Sequence, residues 1–564
     1  MTGVERDPLS FGNLYRTLTG TAARWPDRAA YVVPPMASRA YHPRGITYTW
    51  ARTLAHVESL KAQYARAGYA HGHRVAILGA QRPEFIFHFY ALNALGCGVA
   101  PINPDYLFDE IRYVVEHSDA CLVVAIRDRL DEMRRVGAAI GRDLPCVPLE
   151  DFPERLPEPP PRAARGPDGH SEAALLYTSG TTGRPKGCVL TNEYFHTFGS
   201  WYLGMGGRIA VHEGVERMYN PLPLHHANCL YISLPAMLIS GGALIFPDRF
   251  HASTWWRDLV ACDITCLHYQ GVIPNVLLKL PPGEDEKRHK VRFGFGSGAD
   301  PKLHRLFEER FHLPLIELWA MSETGRIMSD NHEPRSIDTR AIGRSMPGFE
   351  ARIVDDTGAD AAAGVPGHLQ VRHSAEAPRK GFFSGYLKNE AATEEAWKGG
   401  WFHTGDVAMR DVGGLFYFVD RAKNIIRRSG ENIAAAEIDA VLVEHPKVKQ
   451  AAALAVADEM REEEVLVCIV PQDGVAPTEA LARELFQWCF ERLAYFKAPG
   501  WLIFRDSLPL TTSQRLHKIQ IFPKGADPRK EPGIIDLRAL KKAPAGASTK
   551  PHSPPPSIPK GNRP

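Results

Sequence analysis

The most informative segment of the chain is residues 175–187, Leu-Leu-Tyr-Thr-Ser-Gly-Thr-Thr-Gly-Arg-Pro-Lys-Gly. An apolar, strand-like run enters a loop that is dense in glycine and hydroxyl groups and closes on Lys186. The glycines let backbone N–H groups turn inward, the hydroxyl groups add donors, and the lysine adds a positive charge. Such a loop is suited to hold a polyphosphate. It is not a Walker A loop, because Pro185 stands where that pattern needs its second glycine.

Around this loop, apolar strand-like runs alternate with helical periodicity as far as residue 420. The alternation predicts an α/β fold with a parallel or mixed sheet covered by helices. The predicted strands are 74–79, 121–126, 174–177, 264–269, 291–295 and 315–319, and a helix is predicted over 83–95. Because ligands gather at the carboxyl ends of strands in such folds, we expect the site in the loops after Tyr177, Phe295 and Trp319.

Composition changes divide the chain into three parts. Residues 1–420 form the large α/β part, and residues 421–528 rebuild a small unit with strands predicted at 452–456, 464–470 and 501–504. Residues 529–564 are assigned to a Pro-rich tail that is predicted to be disordered, because residues 543–564 contain seven prolines, no acids and no large apolar cluster.

Charge and hydropathy exclude several classes of protein. The 564 residues are 44% hydrophobic and carry a net charge of +2, so a mostly disordered chain is excluded, and no overall field attracts nucleic acid or an anionic membrane. The N-terminus has no apolar signal-peptide core, which favours a cytoplasmic location. The uncharged run 227–246 is long enough to span a bilayer, but a buried helix, a Gly-Gly turn and a core strand explain it better.

The cysteine pattern predicts neither disulfides nor a zinc finger. Nine cysteines are scattered without CxxC spacing, so we interpret them as reduced, mostly buried thiols. Cys262 and Cys266 could share one helix face as metal ligands, but no second pair of ligands accompanies them.

Residues 175–187 closely resemble the phosphate-binding signature of the AMP-forming adenylating superfamily, which includes acyl-CoA synthetases, luciferases and peptide-synthetase adenylation domains. The resemblance covers about residues 11–522, and further family motifs follow in the expected order. It implies a large N-terminal adenylate-forming domain of mixed sheets covered by helices, with a small mobile C-terminal α+β domain. It also implies an AMP-forming acyl-CoA ligase that uses ATP, Mg²⁺, coenzyme A and a carboxylic acid.

The resemblance assigns roles to individual residues. The phosphate-binding residues are Thr178, Ser179, Gly180, Thr181, Thr182, Gly183 and Lys186, and Thr182 with Glu323 would bind Mg²⁺. The adenine would lie between Gly296-Ser297-Gly298-Ala299 and Trp319-Ala320-Met321-Ser322, with Trp319 as its flat surface. His226 would border the acyl pocket, Asp406 would accept the ribose hydroxyls, and Arg421 would reach ribose or phosphate. Lys423 would be the hinge, and Gly430, Glu431 and Asn432 would face the site during thioester formation.

One element departs from the family pattern. Where the family carries a Ser-Gly-Lys run whose lysine serves adenylation, this chain has Ser513-Gln514-Arg515, and Lys518 follows three residues later. Arginine keeps the charge, but its planar fork does not replace a compact ammonium group. Arg515 and Lys518 are therefore both candidates for the catalytic cation. Gln514-Arg515 and residues 83–119 also resemble carnitine and crotonobetaine CoA ligases.

The sequence leaves several alternatives open. A carboxylate with a pKa near ~4 is ionised at neutral pH and needs no general base to attack a phosphate, which fits the absence of a catalytic triad. The acyl acceptor could be a carrier protein instead of coenzyme A, and a non-catalytic nucleotide-binding homologue is conceivable because of Arg515. A dinucleotide fingerprint formed by residues 294–299 and Glu317 is a weaker rival. A homodimer is also open.

Overall fold

The computed structural model describes residues 8–162, 165–178, 185–355, 357–421, 425–429, 431–509, 518, 521–523 and 525–541. Within these ranges the chain forms a large domain that ends with Arg421 and a small domain from Ile425 onward. The helices of the large domain are α1 (Leu14–Arg24), α2 (Trp50–Arg66), α3 (Pro83–Ala94), α4 (Phe108–His117), α5 (Leu130–Ala139), α6 (Asn192–Met205), α7 (Leu234–Ser240), α8 (Trp255–Ala261), α9 (Val272–Lys279), α10 (Pro301–Phe311) and α11 (Glu390–Ala396).

Two mixed sheets form the body of the large domain. The first has the order β14 (Met328–Ser329), β13 (Leu315–Trp319), β12 (Phe293–Ser297), β11 (Cys266–Gln270), β9 (Arg217–Tyr219), β10 (Ala243–Ile245), β1 (Ala29–Val33), β2 (Ile46–Thr49). The second has the order β18 (Gly385–Tyr386), β8 (Lys186–Thr191), β7 (Glu172–Thr178), β4 (Gly98–Pro101), β3 (Arg74–Leu78), β5 (Leu122–Ala125), β6 (Cys146–Pro148). Their inner strands are parallel, and antiparallel pairs occur at the edges, so the predicted mixed α/β fold is confirmed.

An antiparallel sheet completes the large domain. Its strand order is β15 (Ala341–Arg344), β20 (Leu415–Arg421), β19 (Phe402–Arg410), β17 (Gly367–Arg372), β16 (Glu350–Val354). Strands β19 and β20 place Asp406 opposite Arg421 in register. This sheet therefore ends beside the start of the small domain.

In the part of the small domain that the structure describes, there are one sheet, two α-helices and a separate core. The sheet order is β22 (Glu431–Ala434), β21 (Ile425–Arg428), β24 (Glu462–Pro471), β25 (Trp501–Phe504), β26 (Ile535–Asp536), and β23 (Val448–Asp458) pairs with β24. Helices α12 (Ala435–Val443) and α13 (Glu479–Arg492) pack on it. A cluster of buried apolar side chains that runs from Ile426 to Leu537 forms the core.

The tail boundary predicted at residue 529 is wrong. Strand β26 extends the sheet by pairing with β25, and the Leu537 side chain is fully buried in the small-domain core. The prediction failed because residues 529–541 are mostly charged or small, and their few apolar residues are buried only through long-range pairing. Residues 542–564 lie outside the described part.

The apolar run 227–246 is internal structure, as expected. A π-helical turn (Asn228–Ser233) leads into α7, Gly241 ends that helix in the left-handed conformation at φ +67, and β10 follows in the centre of a sheet. Among the described residues, no helix combines the length and the hydropathy that a membrane span requires.

All nine cysteines are free, as predicted, and eight of them are buried. The Cys262 and Cys266 alternative is wrong, because Cys262 ends α8 whereas Cys266 begins β11. They share no helix face.

Candidate functional site

The ends of the predicted phosphate loop are pinned by a hairpin. Strand β7 ends at Thr178 and pairs with the first residue of β8, Lys186, directly across the ladder. The five loop residues assigned between them, Ser179, Gly180, Thr181, Thr182 and Gly183, lie outside the described residues. The hairpin thus fixes the two described residues that flank the loop, Thr178 and Lys186, at the carboxyl end of β7, which is where a sheet of this kind presents a ligand.

Tyr386 links Lys186 to Glu323. The Lys186 ammonium lies 4.5 Å from the centre of the Tyr386 ring, and the tyrosine hydroxyl donates to Glu323 Oε1 at 2.9 Å. Burial and then the neighbouring Glu323 carboxylate raise the pKa of Tyr386 far above its ordinary value, so the hydroxyl stays a donor. Glu323 is 6% exposed. The phosphate-loop lysine and the predicted Mg²⁺ ligand therefore belong to one cluster.

Sequence reasoning missed Tyr386. The residue lies on the short edge strand β18 and reaches the cluster because Tyr386 pairs with Cys188 of β8. The Cys188 thiol also lies 3.8 Å from Glu323 Oε1. No local pattern around residue 386 points to this pairing, although an aromatic residue with a polar tip is a reasonable candidate once the strand order is known.

The backbone around Ser322 is held by two tyrosine hydroxyls. Tyr231 donates to Ser322 Oγ and Tyr194 donates to its carbonyl oxygen, both at 2.8 Å. Both rings are fully buried. The segment after β13 that carries Ser322 and Glu323 is thus anchored to the core of the large domain by two hydrogen bonds.

Trp319 and Asp406 are brought into direct contact. The indole N–H of Trp319 donates to Asp406 Oδ2 at 2.8 Å, and both residues are buried. Trp319 is also stacked against Phe349, with ring centres 6.3 Å apart. Ala320 and Met321 continue from Trp319 and are partly buried against the same core. The predicted adenine surface and the predicted ribose acceptor are therefore adjacent, although their motifs lie 87 positions apart.

The loop after β12 is organised by Glu317. The N–H groups of Gly298 and Ala299 donate to the Glu317 carboxylate at 2.8 and 3.1 Å, and Gly298 has φ +84. In a dinucleotide fold these amides would face a pyrophosphate and the acidic residue would face a ribose. Here they bind each other, so the geometry does not support the dinucleotide alternative.

A cavity of about 770 Å³ separates this loop from the small domain. Five predicted adenine-framing residues line it on the large-domain side, namely Ser297, Gly298, Ala299, Trp319 and Ala320. Arg427 and Glu462 line it on the small-domain side. The volume is in the range that encloses a small-molecule ligand.

His226 meets Glu431 across the domain boundary. His226 Nε2 lies 3.0 Å from Glu431 Oε2. Burial alone would lower the pKa of His226, but the charge and hydrogen bond of Glu431 outweigh it and hold this pKa above its ordinary value. Two residues predicted for different steps, His226 and Glu431, are thus direct neighbours.

The remaining predicted residues are placed only in part. Arg421 ends β20, and Asn432 pairs with Arg427 in the β21–β22 hairpin, but the side chains of Arg421 and Asn432 are not described. Lys423, Gly430 and Arg515 lie outside the described residues. Lys518 donates to Asp439 Oδ2 at 2.5 Å and to the Ala453 carbonyl at 2.9 Å, so in this structure it is bound within the small domain.

Comparison with known proteins gives consistent matches over most of the chain. A family model described as AMP-binding enzyme matches residues 18–387, and one described as AMP-binding enzyme C-terminal domain matches residues 437–515. The chain is 31% identical over 535 residues to the sulfoacetate–CoA ligase of Cupriavidus necator, which covers 91% of this chain and 98% of that protein. It is 30% identical over 476 residues to the crotonobetaine/carnitine–CoA ligase of Proteus mirabilis, covering 80% and 88%.

The fold is also similar to solved structures. The o-succinylbenzoate CoA synthetase of Bacillus subtilis superimposes with a TM-score of 0.75 at 23% identity, and the match covers 90% of this chain and 98% of that one. At this identity the likeness concerns the fold alone. It agrees with the arrangement of one large and one small domain described above.

Proposed function

Because the chain belongs to the AMP-binding enzyme family, we propose that it is an ATP-dependent, AMP-forming CoA ligase. It activates a carboxylic acid as an acyl adenylate and then transfers the acyl group to the thiol of coenzyme A. The contact between Trp319 and Asp406 carries this proposal, because it places a flat aromatic surface and a buried carboxylate side by side at the end of β13. These are the two groups that an adenosine needs, one for the base and one for the ribose hydroxyls.

In the first step a carboxylate oxygen of the acid attacks the α-phosphorus of ATP. A bond forms between that oxygen and phosphorus, and the bond to the bridging oxygen breaks, so pyrophosphate leaves with the electron pair. Lys186 contributes positive charge at the mouth of the phosphate loop, and Tyr386 keeps it beside Glu323. Positioning and charge compensation suffice, because the attacking carboxylate is already ionised.

Glu323 fits the role of a Mg²⁺ ligand. Its buried carboxylate sits at the phosphate-loop cluster, and Mg²⁺ commonly uses only one or two protein carboxylates because it keeps several waters. Bound Mg²⁺ neutralises charge that develops on the phosphates. Thr182 remains the second proposed ligand.

In the second step a thiolate attacks the carbonyl carbon of the acyl adenylate. The carbon–sulfur bond forms, the bond from carbon to the phosphate oxygen breaks, and AMP leaves. The small domain reaches this side of the site through Glu431 and Glu462. We propose that it moves between the two steps about Lys423, with Arg515 or Lys518 supplying the cation for the first step.

The acid is proposed to be short and to carry a second polar or charged group. Relatives named for sulfoacetate and for crotonobetaine or carnitine support this class. A buried polar network also begins two residues after His226 along the chain: Asn220 donates to Asn228 and Ser233, and His268 Nδ1 lies 2.7 Å from Asn228 Oδ1. We further propose that the enzyme acts in the cytoplasm on small molecules, and gel filtration would show whether it is a homodimer.

Two assays test the proposal. Purified protein is incubated with ATP, Mg²⁺ and a panel of sulfonated, betaine-type, aliphatic and aromatic acids, and AMP is measured with and without coenzyme A. Acid-dependent exchange of pyrophosphate into ATP reports the first step alone. AMP release that needs both an acid and coenzyme A supports the ligase, whereas exchange without thioester points to a carrier protein as acceptor. Absence of both refutes catalysis.

A further inference from the structure

Three potential metal ligands converge at the boundary between the domains. His225, His226 and Glu431 each bring one ligand atom to within 4.8 Å of the other two. The closest pair described is His226 Nε2 with Glu431 Oε2 at 3.0 Å, and the two imidazole rings have their centres 4.6 Å apart. The histidines lie in the large domain before α7, and Glu431 begins β22 of the small domain.

One ring nitrogen of the second imidazole, His225, receives no hydrogen bond from the described residues. Within the described part of the chain, His225 Nε2 is buried and makes no hydrogen bond. A buried polar atom is nearly always satisfied by a hydrogen bond, an ordered water or an ion. An ion shared with His226 and Glu431 would satisfy it.

Charged groups of both signs surround the cluster. Besides Glu431, the Asp105 carboxylate is close enough to interact with His226 and with Glu431. Arg129 and Arg249 face Asp105 and offset part of its charge. Lys497 also acts on Glu431, so a metal ion is indicated by the convergence of the three ligand atoms and not by the surrounding charge.

We propose that His225, His226 and Glu431 bind one Zn²⁺ ion, with water at the fourth position. Two imidazoles and one carboxylate match the ligand preference of zinc, whereas Mg²⁺ prefers oxygen ligands. Two atoms that each lie about 2.1 Å from an ion are at most about 4.2 Å apart, so a ligand pair at the 4.8 Å limit would have to approach by a fraction of an ångström. Rotation of the Glu431 side chain supplies such a shift.

The site is complete only when the small domain is docked as in this structure, because its ligands come from both domains. Zinc therefore binds this orientation preferentially and opposes separation of the domains. This consequence rests on the proposed function, since it predicts inhibition of any step that needs the domains to part. The binding itself does not depend on catalysis.

Direct binding is the first test. Tag-free, full-length protein is titrated with Zn²⁺ alone by isothermal calorimetry, and binding is repeated in the presence of excess Mg²⁺. We expect one equivalent of zinc to bind with little competition from Mg²⁺. Co²⁺ in place of zinc should give the intense visible absorption of a tetrahedral site.

Variants show whether these residues are responsible. His225→Gln and Glu431→Gln should each weaken zinc binding by more than about 100-fold, which exceeds the 10- to 100-fold loss typical of an outer partner. His170→Gln is the matched control, because His170 faces Glu193 at 3.6 Å within the large domain and is 66% exposed. Circular dichroism and thermal unfolding confirm that each variant is folded. Equal binding by all variants, or no binding by the parent protein, overturns the proposal.

A kinetic arm separates this inference from the proposed function. If the protein is a ligase, zinc should slow multiple turnover to the same extent in the parent protein and in the His170→Gln variant. His225→Gln should reduce that sensitivity. Zinc binding without any ligase activity would support the zinc site and refute the proposed function. Ligase activity without zinc binding would support the proposed function and refute the zinc site.

Discussion

Lys497 of the small domain lies with its ammonium nitrogen 2.5 Å from Glu110 Oε1 on helix α4 of the large domain. The same nitrogen is 2.9 Å from Glu437 Oε1 in the small domain. The side chains of the three residues are only 5%, 8% and 11% exposed for Lys497, Glu110 and Glu437. One buried cation thus holds a carboxylate on each side of the domain boundary.

Lys497→Met should destabilise the protein by about 3–5 kcal/mol, because it leaves two buried carboxylates without their cation. Urea unfolding followed by circular dichroism measures this loss. Glu110→Gln and Glu437→Gln form a matched pair: the first should weaken contact between the domains, and the second should lower the stability of the small domain itself. A loss below about 0.5 kcal/mol for Lys497→Met would contradict the assigned role.

Asp406→Ala should raise the dissociation constant for ATP by about 10- to 100-fold, because a charged acceptor contributes about 1.5–3 kcal/mol to its hydrogen bonds. Trp319→Phe is the control, since it keeps a flat ring and removes only the N–H that donates to Asp406. It should weaken nucleotide binding less than Asp406→Ala. Fluorescence titration with a nucleotide analogue measures both, and equal losses would argue against the ribose role.

Glu323→Gln should slow acid-dependent pyrophosphate exchange by about 10²- to 10³-fold, the usual loss when one preorganised electrostatic contact is removed. It should also raise the Mg²⁺ concentration needed for half-maximal exchange. Tyr386→Phe removes the hydroxyl that donates to Glu323 but keeps the ring beside Lys186, so its loss should be smaller. An unchanged Mg²⁺ requirement in Glu323→Gln would contradict metal binding by this residue.

The α/β fold of the large domain was predictable, because its strands and helices follow local patterns of apolar residues. The strand at 315–319 was predicted with the bounds that the structure shows, and Trp319 at its end contacts Asp406 of a separate motif. The roles of Trp319, Glu323 and Asp406 stay predictions. What local patterns cannot give is which distant residues meet. Tyr386 and Lys497 reach their partners through strand pairing and domain docking, and neither event leaves a periodic signal in the sequence.

Residues 529–541 show a second limit of prediction from sequence. Its composition predicted disorder from residue 529, yet Lys541 is buried and its ammonium nitrogen is 2.6 Å from Glu464 Oε1. Glu464 Oε2 in turn accepts from Arg428 Nε at 2.8 Å. A charged segment can be ordered when its charges find buried partners, and composition alone does not reveal them.

Truncation after Lys541 should leave stability within about 0.5 kcal/mol, whereas truncation after Pro528 should cost several kcal/mol. The shorter chain loses strand β26, the Lys541–Glu464 pair and the buried Leu537 side chain, whose burial alone contributes about 1.5–3 kcal/mol. Thermal unfolding of the two truncated proteins measures the difference. Similar melting temperatures would refute a structural role for residues 529–541.

Glu462 is a second contact between the domains, and its backbone is strained. Its carboxylate accepts from the N–H of Val272, the first residue of α9, at 3.2 Å, and its φ is +67. Removal from water raises the pKa of Glu462 to about 7, while Arg427 opposes this shift and Glu463 and Glu317 add to it. A carboxylate released into solvent would return to its ordinary pKa of about 4.3.

The docked arrangement should therefore weaken as the pH rises from about 5 to 7 and should level off by about pH 8. Between these values the docked form binds more protons than the separated form. The equilibrium constant for docking therefore falls by at most about tenfold for each unit that the pH rises. Small-angle X-ray scattering measures the effect, because the radius of gyration increases when the small domain separates. Glu462→Gln should dock at every pH in this range and lose the dependence. Glu459→Gln is the control. The Glu459 side chain is 89% exposed and lies near Lys279 of helix α9, so this variant should keep the pH dependence. A pH profile that survives in Glu462→Gln would assign the effect to another group.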